Sequence, residues 1–326
     1  MLSITFLIIS VFTFSGYVYG QNPKCEAFID LTLIIDSSGS VPSNDFEQGK
    51  KALIDLVSRL NVGVQKAGVA IINYASTMEL SAINDVYEFD RRELLQQVAA
   101  LKQIGTNTAT GDALDLAKNY CEARCRSAGQ GIPRVFAIFT DGQSNEGLPA
   151  IPAAKALRSA PIEGTVFAVG IGNIGTVGKA ELLDIAGDSD YVMNIDSYLD
   201  LARITNAITE KMCEFPAFVL PDTKIQSEMS ANSSRYFKMN TLKKNAFFEI
   251  ELNDREGQAL IYTSTTNKNP SSYSSRSISR RAVNGTGKVY TTYVPANAKN
   301  FYFSIKGVAG KINKSDFIVR IRSLGF

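Results

Sequence analysis

The sequence predicts an α/β protein in which a doubly wound, mostly parallel sheet is followed by an antiparallel β-sandwich. Nearly continuous apolar runs, such as Phe-Ile-Asp-Leu-Thr-Leu-Ile-Ile from Phe28 to Ile35, mark strands buried on both faces. Stretches of helical spacing separate these runs, and after Pro216 the pattern changes to short alternating strands broken by Ser, Asn and Gly. At 326 residues and 45% hydrophobic composition, the chain has the length for two domains and the apolar content for two cores.

Residues 1–20 carry no charge, run apolar from Leu2 to Ile9 and end in Val18-Tyr19-Gly20. They read as a signal peptide, which makes the mature chain secreted and extracellular. No later stretch is apolar for long enough to form a transmembrane segment. The first domain, residues 21–215, opens with the strand Phe28 to Ile35 and the turn Asp36-Ser37-Ser38-Gly39-Ser40. A helix follows over Asp45 to Leu60, with Phe46, Ala52, Leu53, Leu56, Val57 and Leu60 on one face and Ser43 as its N-cap. Strands expected at Ala67 to Tyr74, Val135 to Thr140, Thr165 to Ile171 and Tyr191 to Met193 then alternate with helices. The helices are expected at Arg91 to Leu101, Gly111 to Ala123, Ile151 to Leu157, Lys179 to Ala186 and Tyr198 to Met212. In the second domain, residues 216–326, strands are expected at 246–252, 259–263, 289–294, 300–305 and 317–321, with a loop from Asn267 to Ser279.

Four cysteines fit an oxidising compartment and permit three pairings. The expected one joins Cys25 to Cys213, at the two ends of the first domain, and Cys121 to Cys125, four apart on a helix. Three sequons, at Asn232, Asn284 and Asn313, are candidate glycosylation sites. The net charge of +2 hides an asymmetry: 17 Lys and Arg against 8 Asp and Glu from Glu214 onward, but 17 against 24 before it. A basic second half could attract sulfated glycans, or form a solvated face.

In a doubly wound sheet, ligands gather where loops leave the carboxyl ends of the central strands. Three unusual segments fall there: Asp36-Ser37-Ser38-Gly39-Ser40, Gly105-Thr106-Asn107-Thr108-Ala109-Thr110-Gly111 and Thr140-Asp141-Gly142. Together they resemble the von Willebrand factor type A family and its metal-ion-dependent adhesion site, over roughly Phe28 to Cys213. The resemblance implies a metal shell of Asp36, Ser38, Ser40, Thr106 and Asp141. Two carboxylates and three hydroxyls make a hard oxygen shell suited to Mg²⁺, Mn²⁺ or Ca²⁺ and unsuited to zinc. Mg²⁺ takes about six oxygens, which leaves a position for an outside carboxylate.

The resemblance therefore implies an adhesion or recognition protein that binds an acidic group of a protein or matrix ligand through the cation. The alternative is a structural extracellular-matrix component in which the metal only stabilises the fold. Matrilins and type VI collagen modules, which share the Thr-Asp-Gly-Gln-Ser turn at Thr140 to Ser144, keep that alternative open. A chain without histidine lacks the usual general base and has no phosphate loop, which argues against an enzyme. Nothing in it resembles a nucleic-acid-binding motif.

Overall fold

A computed structural model describes residues 28–64, 66–126, 131–271, 278–281, 287–308 and 312–323. The expected signal peptide, Cys25 and Asn284 lie outside the described residues. The first half is a six-stranded sheet of order β3-β2-β1-β4-β5-β6. Its strands are β1 (Ile29–Asp36), β2 (Ala67–Tyr74), β3 (Leu80–Ala82), β4 (Arg134–Thr140), β5 (Thr165–Ile171) and β6 (Val192–Ile195). All pair in parallel except β3, which runs antiparallel to β2 at the edge.

Helices cover both faces. α1 (Ser43–Arg59), α2 (Arg91–Ala100) and α6 (Tyr198–Cys213) pack on Leu31, Leu33 and Ile35. α3 (Thr110–Arg124), α4 (Ala150–Leu157) and α5 (Gly175–Ala186) pack on Ile34, Phe136 and Ile138. Both faces of β1 are thus buried, and its eight residues are all inaccessible, including Asp30 and Thr32. Ser43 is the first helical residue of α1 and not its cap; Pro42 stands at the cap position, and no side chain bonds the helix start there. Ser197 does cap α6, accepting from the Asp200 amide, and Asp90 caps α2.

The second half holds two further sheets, β12-β13-β10-β15-β8 and β11-β14-β9-β7. The first contains β8 (Lys224–Ser230), β10 (Ala246–Glu256), β12 (Ile278–Arg281), β13 (Lys288–Val294) and β15 (Ile312–Ser323). The second contains β7 (Ala217–Phe218), β9 (Ser234–Asn240), β11 (Ala259–Ser264) and β14 (Asn300–Gly307). All pairs are antiparallel except the short β7 with β9. One core of Phe237, Phe248, Phe301, Phe303 and Phe317 lies between the sheets, with ring centroids 4.7 to 5.9 Å apart, which makes this half a sandwich. The expected loop from Asn267 is shorter than the sequence suggests, because Ile278 already begins β12.

The sandwich meets the parallel sheet at the amino ends of its strands. Arg235 of β9 donates to the Gly131 carbonyl, 2.9 Å away and just ahead of β4. Its guanidinium lies 4.8 Å from the ring centroid of Phe28 and 5.3 Å from that of Phe237. Nearby, Asn240 donates to Glu163 at 3.0 Å, and Lys268 pairs with Asp188 and Asp190 ahead of β6. Every one of these contacts is at the pole opposite the loops that leave the carboxyl ends.

A disulfide joins Cys121 to Cys125 across the last turn of α3. Cys213 is also disulfide-bonded; its expected partner, Cys25, is not among the described residues. Among the described residues no helix is long and apolar enough to cross a membrane.

Candidate functional site

The strand order places β1 beside β4, where the chain's crossovers leave in opposite directions and open a crevice at the carboxyl ends. Asp36 is the last residue of β1 and Asp141 follows the end of β4, so backbone topology alone brings the two carboxylates to one place. Asp36 is 1% exposed. Its Oδ1 accepts from the Ser38 amide at 2.9 Å and its Oδ2 from the Thr140 hydroxyl at 2.6 Å. Ser40 donates to Asp141 Oδ1 at 2.8 Å and lies 3.0 Å from the Ser38 hydroxyl. Since Ser40 has spent its only proton on Asp141, Ser38 is the donor of that second bond.

Close approach of the loops depends on glycine. A Cβ on Gly39 would stand 2.8 Å from the Gly105 carbonyl oxygen, closer than carbon and oxygen can pack. The Gly39 amide donates to the Thr106 carbonyl at 2.7 Å, and the Gly105 amide to the Ser37 carbonyl at 2.9 Å, which fastens the second loop to the first.

Four of the five expected ligands, Asp36, Ser38, Ser40 and Asp141, are joined by this chain of hydrogen bonds. Thr106 adjoins them through its main chain, while its hydroxyl donates to Glu79 Oε2 at 2.6 Å and accepts from the Ser76 amide at 3.3 Å. Glu79 lies on the loop between β2 and β3, and the sequence offered no sign of it because a three-residue edge strand has no readable alternation. Thr140 was visible in the Thr-Asp-Gly turn, but its bond to Asp36 was not.

The electrostatics fit a cation. Burial holds the Asp36 carboxyl above its ordinary range, bonds from Thr140 and Ser38 oppose that, and the neighbouring Asp141 charge adds to it. Burial likewise raises Asp141, with Ser40 opposing and Asp45 adding. Every group that holds these carboxyls down is a hydrogen-bond donor; no Lys or Arg is among them. A buried acid, Asp36, and a half-buried one, Asp141, side by side without a basic partner holding them down are costly unless something positive joins them. Two carboxylates, three hydroxyls and no nitrogen or sulfur donor suit a hard divalent ion.

The remaining expected sites divide. Asn232 is exposed, at the turn between β8 and β9 with φ of 64°. Asn313 is only 1% exposed, with its amide donating to the Val308 carbonyl and its oxygen accepting from the Gln258 amide. A glycan at Asn313 would have to occupy packed interior, so the folded chain offers no surface for one there. Four basic residues of the sandwich pair with cross-strand acids: Arg320 with Glu251, Arg322 with Glu249, Lys288 with Asp254 and Lys314 with Glu256.

Comparison with known proteins agrees with this fold. The profile of the von Willebrand factor type A domain matches residues 30–207. The chain is 28% identical over 217 residues to the collagen alpha-6(VI) chain of Homo sapiens, covering 66% of this chain and 9% of that one. It is 32% identical over 192 residues to matrilin-3 of Gallus gallus, covering 57% of this chain and 40% of that protein. The chain thus spans less than half the length of these relatives. Among solved structures, proximal thread matrix protein 1 from the mussel byssus, with a zinc-occupied MIDAS motif, superposes with a TM-score of 0.51 at 23% identity. That superposition covers 58% of this chain and 47% of that one and speaks for the fold. A profile that takes in β1 to α6, together with the strand order beneath the three loops, makes this chain a member of the von Willebrand factor type A family.

Proposed function

We propose that this protein is an extracellular adhesion or recognition protein that holds a divalent cation at Asp36, Ser38, Ser40, Thr106 and Asp141 and binds an acidic group of a protein or matrix ligand there. The observation that carries the reading is the pair of carboxylates, Asp36 buried and Asp141 half-buried, linked through Ser38 and Ser40 and held down by hydrogen-bond donors with no Lys or Arg among them. Asp36 and Asp141 supply the charge, and the serine hydroxyls supply neutral oxygens that keep the total negative charge low. Thr106, whose proton is given to Glu79, keeps a lone pair available to the same point. When bound, the cation supplies a positive charge with an open position for a partner's carboxylate oxygen. Mg²⁺, Mn²⁺ and Ca²⁺ suit the donors best; the zinc in the mussel protein's motif adds that ion to the set to be compared.

The test is a calorimetric titration with Mg²⁺, Mn²⁺, Ca²⁺ and Zn²⁺, wild type against Asp141→Ala, followed by binding to purified matrix proteins. Saturable binding lost in EDTA and in Asp36→Ala supports the adhesion reading. Absence of cation binding to the wild type sinks it. The collagen VI and matrilin relatives favour a second reading, a structural matrix component in which the cation stabilises the fold. It predicts that EDTA lowers the melting temperature while matrix binding persists. The excess of Lys and Arg in the sandwich keeps sulfated glycans as a further ligand class to include in the binding test.

A further inference from the structure

Tyr198 is the first residue of α6, and its ring rests against α1. A Cβ on Gly49 would lie 2.9 Å from Tyr198 Cδ1, so a glycine in the interior of a 17-residue helix, a poor place for it by propensity, makes room for this ring. The side chain is 7% exposed, yet its hydroxyl is buried without a hydrogen-bond partner among the described residues. Phenylalanine would fill the same space and avoid a buried, unbonded O–H. The hydroxyl therefore calls for an explanation other than packing.

Its surroundings supply one. Tyr198 shares a small cavity with Asp36, Phe46, Gly49, Lys50 and Phe139, with room for about one water molecule, and the Lys50 ammonium is paired with Glu47 at 3.1 Å. A tyrosine phenol keeps its proton at neutral pH, so the hydroxyl stands there as a donor. A donor beside Asp36, with no acceptor among the described residues, is placed to bond the oxygen shell of that centre.

We propose that Tyr198 is a positioning residue of the cation centre, its phenol donating through one water in this cavity to Asp36. The role rests on the cation reading above. It also gives the ring's seat on Gly49 a purpose: α1, which follows the Asp36 loop, and α6 are keyed to the centre by one side chain.

The test uses the full chain as wild type and Tyr198→Phe. Cation affinity is measured by calorimetry with Mn²⁺, and melting temperature is measured in EDTA. Loss of an orienting partner typically weakens metal affinity about 10- to 100-fold. The expected result is a dissociation constant at least about tenfold weaker for Tyr198→Phe, with a melting temperature in EDTA at or above that of the wild type. A tyrosine ultraviolet difference spectrum on Mn²⁺ addition, present in the wild type and lost in the variant, would support the same conclusion. Equal affinities in the two proteins overturn the role of Tyr198 and leave the cation reading standing. No cation binding in the wild type overturns both.

Discussion

Ser40 donates to Asp141 across 101 residues of sequence, tying the loop after β1 to the loop after β4 with a 2.8 Å bond. That bond also holds one acid near another, because Asp36 is linked to Asp141 through Ser38 and Ser40. Asp141→Asn removes one of the two charges while keeping the shape. In EDTA the variant should melt at or above the wild type. At a Mg²⁺ concentration one hundred times the wild-type Kd, the wild type should gain about 2.7 kcal/mol and the variant almost nothing. Scanning calorimetry with and without Mg²⁺ checks the crossing of the two curves; parallel curves would refute it.

The buried Asp30 is held by Arg126, whose Nε and amide both donate to it at 2.7 Å. Burial outweighs that help and raises the Asp30 pKa above the usual 3.8. The folded chain therefore takes up the proton before the unfolded chain does. The penalty for the charge is absent below the unfolded pKa and grows as pH rises through the raised value. Arg126→Ala should cost about 3–5 kcal/mol at neutral pH, because it leaves an unpaired buried charge, and distinctly less near pH 4. Urea unfolding at both pH values tests this, and adding Asp30→Asn should remove the pH dependence.

Gly111 lies in the first turn of α3 with the chain ahead of α4 pressed against it: a Cβ there would fall 1.9 Å from the Leu148 carbonyl oxygen. Gly111→Ala should therefore destabilise by about 1–3 kcal/mol through overpacking, against the usual preference of helices for alanine. Thermal melting decides the sign.

Arg235 is half-buried, and desolvation lowers its pKa to about 10. It lies between Phe28 and Phe237 and bonds the Gly131 carbonyl. Arg235→Ala should cost about 2 kcal/mol or more from the desolvated ring contacts. It should also speed proteolysis near Phe215 to Val219, where the two halves join. Unchanged cleavage there would show that the interface does not depend on this side chain.

Much of the fold was legible because β1, β2, β4 and β5 are apolar on both faces, a pattern only a covered parallel sheet explains. β8 was hidden: its Lys-Ile-Gln-Ser-Glu-Met-Ser buries Ile225, Ser227 and Met229, and an inward serine breaks the apolar rhythm. β6 begins one residue late because Ser189–Tyr191 form a tight 3₁₀ turn. At the site, Asp36, Ser38, Ser40 and Asp141 could be read because strand ends and the motif place them. Glu79 and Tyr198 could not, since they reach it only through tertiary packing. The Asn313 triplet says nothing of burial, and β15 folds that asparagine inward.

The sandwich grips the amino ends of the parallel strands while the carboxylate pair sits at their carboxyl ends. Tension between a captured partner and the sandwich would consequently run lengthwise along β1 and β4. Both strands would be held at the same two ends, so the load would pass along their covalent backbones and the hydrogen bonds between them would not be peeled open one at a time. A chain built this way is suited to bearing pull along one axis.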